Sequence, residues 1–348
     1  MSQIIPKKLL AVENNWQKEL AMAFSDPNSL LKYLELPLEN FVEDVKARQL
    51  FPMRVPRPFA AKMKKGDPLD PLFMQVFTSR EEFHTTQGFS TDPLKEQDNK
   101  QSGILHKYQN RLLLLVRGGC AVNCRYCFRR HFPYSDNHLN KHQWQQAIAY
   151  ISDNPQLDEV IYSGGDPLMA KDDFLAWLTT QIEGIPHIKR LRIHTRLPVV
   201  IPSRITAELI AWFSQSRLKP VMVLHVNHAN EIDNALAVSM QKLKQAGVTL
   251  LNQAVLLKGI NDTAEQQIAL NEGLFEIGVM PYYLHVLDKV QGAEHFDLAD
   301  SKATELMRQL IKRQPGYLVP KLVREIGGQP GKTPLDLQLH PSSKSVDI

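Results

Sequence analysis

Cysteine is scarce in this sequence: the 348 residues include only Cys120, Cys124 and Cys127, all within eight positions. A secreted disulfide scaffold usually distributes an even number of cysteines along its chain, so that class of protein is excluded. Clustered thiols in a chain without a secretion signal are typical of a metal site in a reducing compartment. We therefore expect a cytoplasmic protein with a metal centre.

Long hydrophobic runs and a strong excess of charge are also absent. The longest aliphatic run is 112–116, far below the roughly 20 residues that cross a bilayer. Charged residues interrupt the apolar ones over 1–20, so we expect no secretory signal. The 41 basic and 37 acidic side chains leave a net charge of +4, which is too small to predict a nucleic-acid or membrane partner.

From about residue 105 onward, short apolar segments alternate with amphipathic ones. This alternation predicts strands separated by helices. The predicted strands are 112–116, 159–163, 190–195, 220–226, 249–257 and 280–287. The predicted helices are 141–152, 172–183, 203–215, 230–246, 262–276 and 299–313.

Six strand–helix units imply an α/β fold with a parallel sheet, because parallel strands need crossover connections. Six units rather than eight predict a partial (β/α)6 TIM-like barrel, with its active site at the carboxyl ends of the strands. Helical stretches at 13–24 and 38–48 precede it. We expect a mainly helical N-terminal region at 1–104, the barrel at 105–298 and a C-terminal segment at 299–348.

The cysteines follow the first predicted strand with the spacing Cys-x3-Cys-x2-Cys. Thiolates are soft ligands that suit iron–sulfur clusters or zinc. Three thiolates on a four-iron cluster leave one iron open for an exogenous ligand, and the position at a strand end favours this interpretation. The alternative is a structural zinc site completed by His131, four residues after Cys127.

A second motif, Ser163-Gly164-Gly165-Asp166, follows the second predicted strand. Adjacent glycines at a strand end allow a ligand to approach the backbone closely. A plain strand-to-helix turn uses the same residue types. The position at the same edge of the sheet as the cysteines favours a ligand-binding loop.

A glycine-rich stretch at 327–334 carries Lys332. It is not a phosphate-binding P-loop, because position 326 is isoleucine and Pro334 disfavours the helix that would follow. A lysine on such a loop can instead form a Schiff base with pyridoxal phosphate. The alternative is a solvated surface lysine.

Charged residues follow several predicted strands. An arginine near the cysteines can bind a carboxylate through two hydrogen bonds, whereas the whole basic group can also form a solvated face that binds RNA. The four cations of this group are Arg125, Arg129, Arg130 and His131. Asp288 follows the sixth strand and Glu325 precedes the glycine-rich stretch. Carboxylates in loops are commonly solvated, so these two residues alone predict no role.

Taken in order, these stretches resemble the lysine 2,3-aminomutase family of radical S-adenosylmethionine enzymes. The resemblance covers roughly residues 55–340 and includes distinctive stretches at 65–72, 196–204, 225–231 and 252–257. It looks closest to the short bacterial members that make (R)-β-lysine for the modification of elongation factor P. The resemblance implies a barrel of the radical S-adenosylmethionine type.

The resemblance also implies three cofactors. The three cysteines would hold a [4Fe–4S] cluster. The residues that would lie along S-adenosylmethionine are Ser163, Gly164, Gly165, Asp166, His225 and Gln253. Pyridoxal phosphate would attach to Lys332, the catalytic lysine, and would contact Tyr108 and Arg111.

The implied substrate is L-lysine, whose 2-amino group moves to C3. Arg129 would bind its carboxylate, while Asp288 and Glu325 would receive its side-chain ammonium. A flavodoxin or ferredoxin would supply the electron, and elongation factor P with its lysine ligase would take up the product. A related aminomutase acting on another amino acid, such as arginine, is the alternative.

Two departures from longer relatives stand out. Glu325 occupies a position that is aspartate in those enzymes, so its carboxylate extends one methylene further. No cysteine remains for the zinc that their tails bind, so we expect no structural zinc. From a different class of function, the alternative is a zinc-stabilised RNA-binding module, which leaves Lys332 and the Ser-Gly-Gly-Asp motif unexplained.

Overall fold

The computed structural model describes residues 15–97, 103–134 and 139–339. Within these ranges, nine strands form one sheet in chain order. The strands are β1 (Ile104–Leu105), β2 (Arg111–Arg117), β3 (Glu159–Gly164), β4 (Arg190–Thr195), β5 (Lys219–Leu224), β6 (Thr249–Val255), β7 (Met280–His285), β8 (Lys321–Arg324) and β9 (Thr333–Pro334). Strands β2 to β8 pair in parallel, and antiparallel β1 and β9 flank them.

Helices connect the parallel strands. Five short helices precede the sheet: α1 (Trp16–Ala21), α2 (Pro27–Tyr33), α3 (Val42–Lys46), α4 (Arg57–Ala60) and α5 (Pro71–Met74). The others are α6 (Lys141–Ser152), α7 (Asp172–Glu183), α8 (Leu197–Val200), α9 (Ala207–Ser214), α10 (Asn234–Gln245), α11 (Ala264–Glu276) and α12 (Asp300–Arg313).

The strand order confirms the predicted partial barrel. Each parallel strand neighbours the next one in the chain, and right-handed crossovers then place all connecting helices on one face of the sheet. The opposite face is left to line an interior, as in a TIM barrel. The six predicted strand–helix units are all present, and β8 adds a further parallel strand that the sequence did not predict.

Local sequence explains the clear boundaries of the barrel elements. Strand β3 is buried along its whole length, as expected for a parallel strand covered on both faces. Capping boxes begin two of the helices, with Asn140 and Gln143 at α6 and Thr263 and Gln266 at α11. The predicted helices 141–152 and 172–183 agree with the structure at both ends.

The region before the sheet is less regular than the sequence predicts. The predicted helix 13–24 is confined to α1 among the described residues, with residues 13 and 14 outside them. The predicted helix 38–48 is α3 flanked by two short 3-10 turns. Helices this short depend on packing rather than on intrinsic propensity.

Packing joins the early helices to the barrel. The largest cluster of buried apolar side chains extends from Trp16 to Leu322. Because this cluster includes residues of all three predicted regions, the division of the chain at 104/105 and 298/299 stays a prediction. In the parts of the chain that the structure describes, no helix is both long and apolar enough to cross a membrane.

Candidate active site

A cavity of about 680 Å³ occupies the barrel interior and its carboxyl-end loops. Its wall consists of inward-facing side chains of β2 to β7 and residues that follow these strands. Every residue that the sequence singled out for a cofactor or substrate lines this cavity: Tyr108, Arg111, Cys120, Cys124, Cys127, Arg129, Ser163, Gly164, Gly165, Asp166, His225, Gln253, Asp288, Glu325 and Lys332. Residues more than 200 positions apart are thus brought together.

The three thiols form one end of the cavity, which we call the thiol end (Cys120, Cys124 and Cys127). All three are free and partly buried. Burial and the neighbouring Cys124 thiol raise the pKa of Cys127 to about 11, and burial followed by the other two thiols raises that of Cys120. A cationic centre would favour the thiolate form of such side chains by displacing their protons. The donor set fits an iron–sulfur cluster.

The other residue considered as a metal ligand, His131, faces elsewhere. Its Nε2 lies 3.1 Å from the carbonyl oxygen of Gln291, and it is not among the residues that line the cavity. The structure therefore gives no support to a zinc site formed by His131 with the three thiols.

The structure does not support the alternative of a solvated basic face, because the three arginines beside the thiols are buried. Glu82, which has no exposed side-chain surface, pairs with Arg125 at 2.5 Å and with Arg130 at 2.6 Å. Their guanidinium groups also donate to backbone carbonyls, including those of Phe51 and Gly292. These charges stabilise the loop from inside the protein and are not available to RNA.

The glycines after β3 allow close packing against the loop that leads to Cys120. Gly164 has a φ of +124°, and a Cβ there would lie 2.3 Å from the carbonyl oxygen of Arg117. The amide of Gly165 donates to that same carbonyl at 2.7 Å, and the amide of Asp166 donates to Gly119 at 3.0 Å. The motif thus fixes the thiol loop on the end of β3 while it also lines the cavity.

Asp166 connects the ends of β3 and β4. Its carboxylate accepts hydrogen bonds from the Thr195 hydroxyl at 2.8 Å, the Arg196 amide at 2.8 Å and the Leu197 amide at 2.9 Å. Burial nevertheless raises the pKa of Asp166 above its usual value. Because its oxygens are already occupied by protein donors, Asp166 contributes to the cavity mainly by holding these two loops together.

His225 and Gln253 extend the wall from β5 and β6. The His225 Nε2 lies 2.9 Å from the Tyr126 hydroxyl, and the two rings stack with centroids 5.7 Å apart. Burial lowers the pKa of His225 well below its usual value, so the ring is neutral. Gln253 follows a register shift between β6 and β7, and such irregularities reorient side chains beside functional sites.

Alternating charges form a second part of the site, which we call the ion-pair end (Glu96, Lys107, Arg129, Glu325 and Lys332). All of these residues except Lys107 line the cavity. Arg129 Nε lies 2.6 Å from Glu96, whose other oxygen lies 2.5 Å from Lys107. Lys107 Nζ lies 3.2 Å from Glu325, and Lys332 Nζ lies 2.6 Å from the second oxygen of that carboxylate. Arg129 also donates to the carbonyl of Gly164 and so reaches the thiol end.

Glu325 and Asp288 have opposite electrostatic environments. Burial alone would raise the pKa of Glu325, but the ammonium groups of Lys332 and Lys107 hold it far below its usual value. Burial and the nearby Glu325 charge instead raise the pKa of Asp288 to about 7. Within the described ranges, the ion pairs of this end do not include Asp288. A cationic ligand group would supply the partner that Asp288 needs.

Tyr108 and Arg111 lie beside Glu325. The Tyr108 hydroxyl donates to Glu325 at 3.3 Å, and the Arg111 guanidinium stacks 3.9 Å from the centre of the Tyr108 ring. Burial, followed by the Glu325 charge, raises the pKa of Tyr108, so its hydroxyl stays protonated. These two side chains form a rigid wall next to Lys332.

Sequence reasoning missed Glu96 and Lys107. Neither lies in a periodic segment or a motif, and the only available signal was the position of Lys107 directly before Tyr108. The packing of the lysine loop explains why Glu96 is near. A Cβ at Gly327 would lie 2.9 Å from the carbonyl oxygen of Leu94, so only a residue without a side chain allows this approach.

Comparisons with known proteins show the family of this chain. The family model described as Radical SAM superfamily matches residues 114–269. L-lysine 2,3-aminomutase of Escherichia coli is 58% identical over 326 residues, which are 93% of this chain and 95% of that protein. The protein of the same name from Haemophilus influenzae is 56% identical, over 95% of this chain and 98% of that protein.

More distant relatives have longer chains. L-lysine 2,3-aminomutase of Clostridium subterminale is 34% identical over 92% of this chain and 78% of its own length. The similarity to all three relatives covers more than nine-tenths of this sequence. The chain belongs to the lysine 2,3-aminomutase family of radical S-adenosylmethionine enzymes.

Proposed function

We propose that this protein is an isomerase that converts L-lysine to (R)-β-lysine with the help of pyridoxal phosphate. The observation that carries the proposal is that one cavity contains three thiols, a half-buried lysine and two carboxylates in unequal environments. The relatives named L-lysine 2,3-aminomutase, at up to 58% identity, support the reaction.

The thiol end would hold the [4Fe–4S] cluster, and the walls that follow β3, β5 and β6 would hold S-adenosylmethionine. Ser163, His225 and Gln253 offer polar atoms to that molecule, and Gly164 and Gly165 leave room for it. When bound, the cluster and S-adenosylmethionine supply a radical that removes hydrogen from C3 of the substrate, and pyridoxal phosphate carries the migrating nitrogen.

Lys332 is the residue we propose to bind pyridoxal phosphate covalently. Its side chain is only 16% exposed and its Nζ points to Glu325 at 2.6 Å, so it is not the solvated lysine of the alternative interpretation. Tyr108 shares the Glu325 carboxylate with Lys332, and Arg111 stacks on the Tyr108 ring. The Arg111 guanidinium offers a positive charge to the phosphate group.

The charges of the ion-pair end match those of a lysine molecule. Arg129 would receive the substrate carboxylate by sharing its guanidinium donors between that group and Glu96. Asp288, with Glu325 beside it, would receive the side-chain ammonium, whose charge would return Asp288 to its ionised form. A neutral or acidic side chain would leave Asp288 without a cationic partner, so the site favours lysine.

The protein residues position the reacting groups and exclude water. The buried pairs of Arg129 and Glu325 fix both ends of the substrate against the barrel wall. Orientation of this kind lowers the barrier by reducing the entropy lost in the reaction, and exclusion of water protects a radical from side reactions.

The cellular role follows only from the family resemblance. We propose that the protein acts in the cytoplasm, receives its electron from a flavodoxin or ferredoxin, and supplies β-lysine to the ligase that modifies elongation factor P.

The test is an anaerobic assay of the reconstituted protein. The protein would be loaded with iron, sulfide and pyridoxal phosphate, and would then receive dithionite, S-adenosylmethionine and L-lysine. Chiral chromatography with mass detection would identify the product. We expect (R)-β-lysine.

Other products would change the proposal in defined ways. The S enantiomer would overturn the assignment to the short bacterial members but keep the reaction. Cleavage of S-adenosylmethionine without β-lysine would overturn the substrate, and L-arginine would then be tested in the same assay. Failure to assemble any cluster would overturn the radical mechanism.

A further inference from the structure

Arg196 is a buried arginine beside the thiol end that the proposed function leaves without a role. It follows directly after β4, and its backbone amide donates to Asp166 at 2.8 Å. Its side chain is 7% exposed. Desolvating a guanidinium is costly, so its partners indicate what the charge is for.

Both terminal nitrogens of Arg196 have two partners each. Nη1 lies 2.7 Å from the Cys124 sulfur and 2.5 Å from the Tyr126 hydroxyl. Nη2 lies 2.9 Å from a Glu231 oxygen and 2.8 Å from the Gln75 side-chain oxygen. Four partners from three separate segments fix the guanidinium in one position, with one edge on sulfur and the other on a carboxylate.

The contact with Cys124 is specific to this arginine. Other buried arginines of this loop, Arg125 and Arg130, pair with Glu82 and donate to backbone carbonyls. Arg196 instead directs a charged N–H group at the sulfur of a proposed cluster ligand. A ligand sulfur that accepts a hydrogen bond carries less negative charge to the metal, and such contacts set the potential of an iron–sulfur cluster.

We propose that Arg196 is a positioning residue that donates a hydrogen bond to the Cys124 thiolate and makes the cluster easier to reduce. The inference rests on the proposed function, since it requires a cluster at the three thiols. Reduction adds one electron and one unit of negative charge next to a fixed positive charge, which stabilises the reduced state. Glu231, on the other edge of the guanidinium, partly offsets that charge.

The test measures the reduction potential of the cluster in the reconstituted full-length protein, by EPR at a series of set potentials. In Arg196→Gln the reduced fraction at a fixed potential is expected to fall about tenfold, which is ~59 mV for a one-electron couple. Arg196→Lys, which keeps the charge but not the fork of donors, is expected to lie between this variant and the wild type.

Arg204 supplies the matched control. It ends the same sequence stretch, its side chain is fully buried, and it pairs with Asp172 at 2.9 Å instead of with a thiol. Arg204→Gln is expected to lower the melting temperature without moving the potential. Equal shifts in Arg204→Gln and Arg196→Gln would overturn the proposal, because the effect would then come from lost packing.

A second variant covers the case in which Arg196→Gln does not assemble its cluster. Glu231→Gln keeps the guanidinium and removes the opposing charge, so the potential is expected to rise. If the wild type holds a normal cluster and the assembled variants have the same reduction potential, the role of Arg196 is overturned and the proposed function is kept. A wild-type protein without any cluster EPR signal would overturn the proposed function as well.

Discussion

The thiol end and the ion-pair end of the cavity hold their charges in different ways. Behind the thiols, Glu82 and Glu231 pair with arginines that are themselves buried, and these pairs need no ligand. At the ion-pair end, the partners of Glu325 are two lysines, of which Lys332 lines the cavity, and Asp288 stays outside these pairs. One end is a fixed frame, and the other is a set of charges that a ligand can join.

This difference assigns separate tasks to the two ends. A frame whose charges are satisfied within the protein suits an inorganic group that stays bound through many turnovers. Exchangeable ion pairs suit a substrate that enters and leaves, because its carboxylate and ammonium replace contacts of the same kind. A substitution at one end is therefore expected to leave the group that binds at the other end in place.

Removal of one thiol should give the largest loss. Cys124→Ala is expected to abolish the brown absorbance of the reconstituted protein, the cleavage of S-adenosylmethionine and all β-lysine formation, because a cluster would keep only two ligands. Visible spectroscopy and iron analysis measure the cluster, and the absorbance of bound pyridoxal phosphate on Lys332 should persist. Retention of a full iron content would contradict the assignment of Cys124.

Removal of Lys332, at the ion-pair end, should also eliminate the formation of β-lysine. Lys332→Ala is expected to lose the visible absorbance of covalently bound pyridoxal phosphate, since no other cavity lysine is assigned this bond. The cluster absorbance should stay at the wild-type level, which serves as the internal control. If the pyridoxal phosphate band remains, for example on Lys107, the covalent site is wrongly assigned.

Neutralising the unpaired carboxylate should weaken substrate binding selectively. Asp288→Asn is expected to cost about 2–5 kcal/mol of lysine binding, or roughly 30-fold or more in affinity. The affinity is measured by the spectral change of bound pyridoxal phosphate on addition of lysine. S-adenosylmethionine cleavage without lysine should not change, and an equal loss of both would argue against an ammonium site.

A lower pH should have the smallest of these effects, and it should weaken the binding of lysine. The pKa of Asp288 in the free protein is raised to about 7, so its carboxyl is neutral below that pH and charged above it. Lysine affinity is expected to fall about tenfold for each pH unit below 7. The Asp288→Asn variant provides the matched control, because it should lack this part of the pH dependence.

The fold was largely predictable because the barrel repeats a simple pattern. Apolar strands alternating with amphipathic helices predicted all six strand–helix units, several with the observed bounds. Strand β8 was missed because four residues give too short a pattern. The early helices were predicted too long, since short segments there take their structure from contacts with the barrel.

The two ends of the cavity differ in how far sequence predicts them. The thiols are close in the chain and follow a strand, so their spacing alone predicts a metal site. Glu325 and Lys332 gained a role only from the family resemblance, because loop carboxylates and lysines are usually solvated. Glu96, Lys107 and Arg196 depend on contacts between distant segments, and no local pattern marks such contacts.

The most direct test of the whole account follows hydrogen from one end of the cavity to the other. L-Lysine deuterated at C3 would be turned over with unlabelled S-adenosylmethionine, and mass spectrometry would measure deuterium in the recovered S-adenosylmethionine and 5′-deoxyadenosine. A single cavity serving both molecules predicts deuterium in the adenosyl group and in β-lysine. Cleavage of S-adenosylmethionine with no deuterium transfer would contradict the account, because the two ends would then not act on the same substrate.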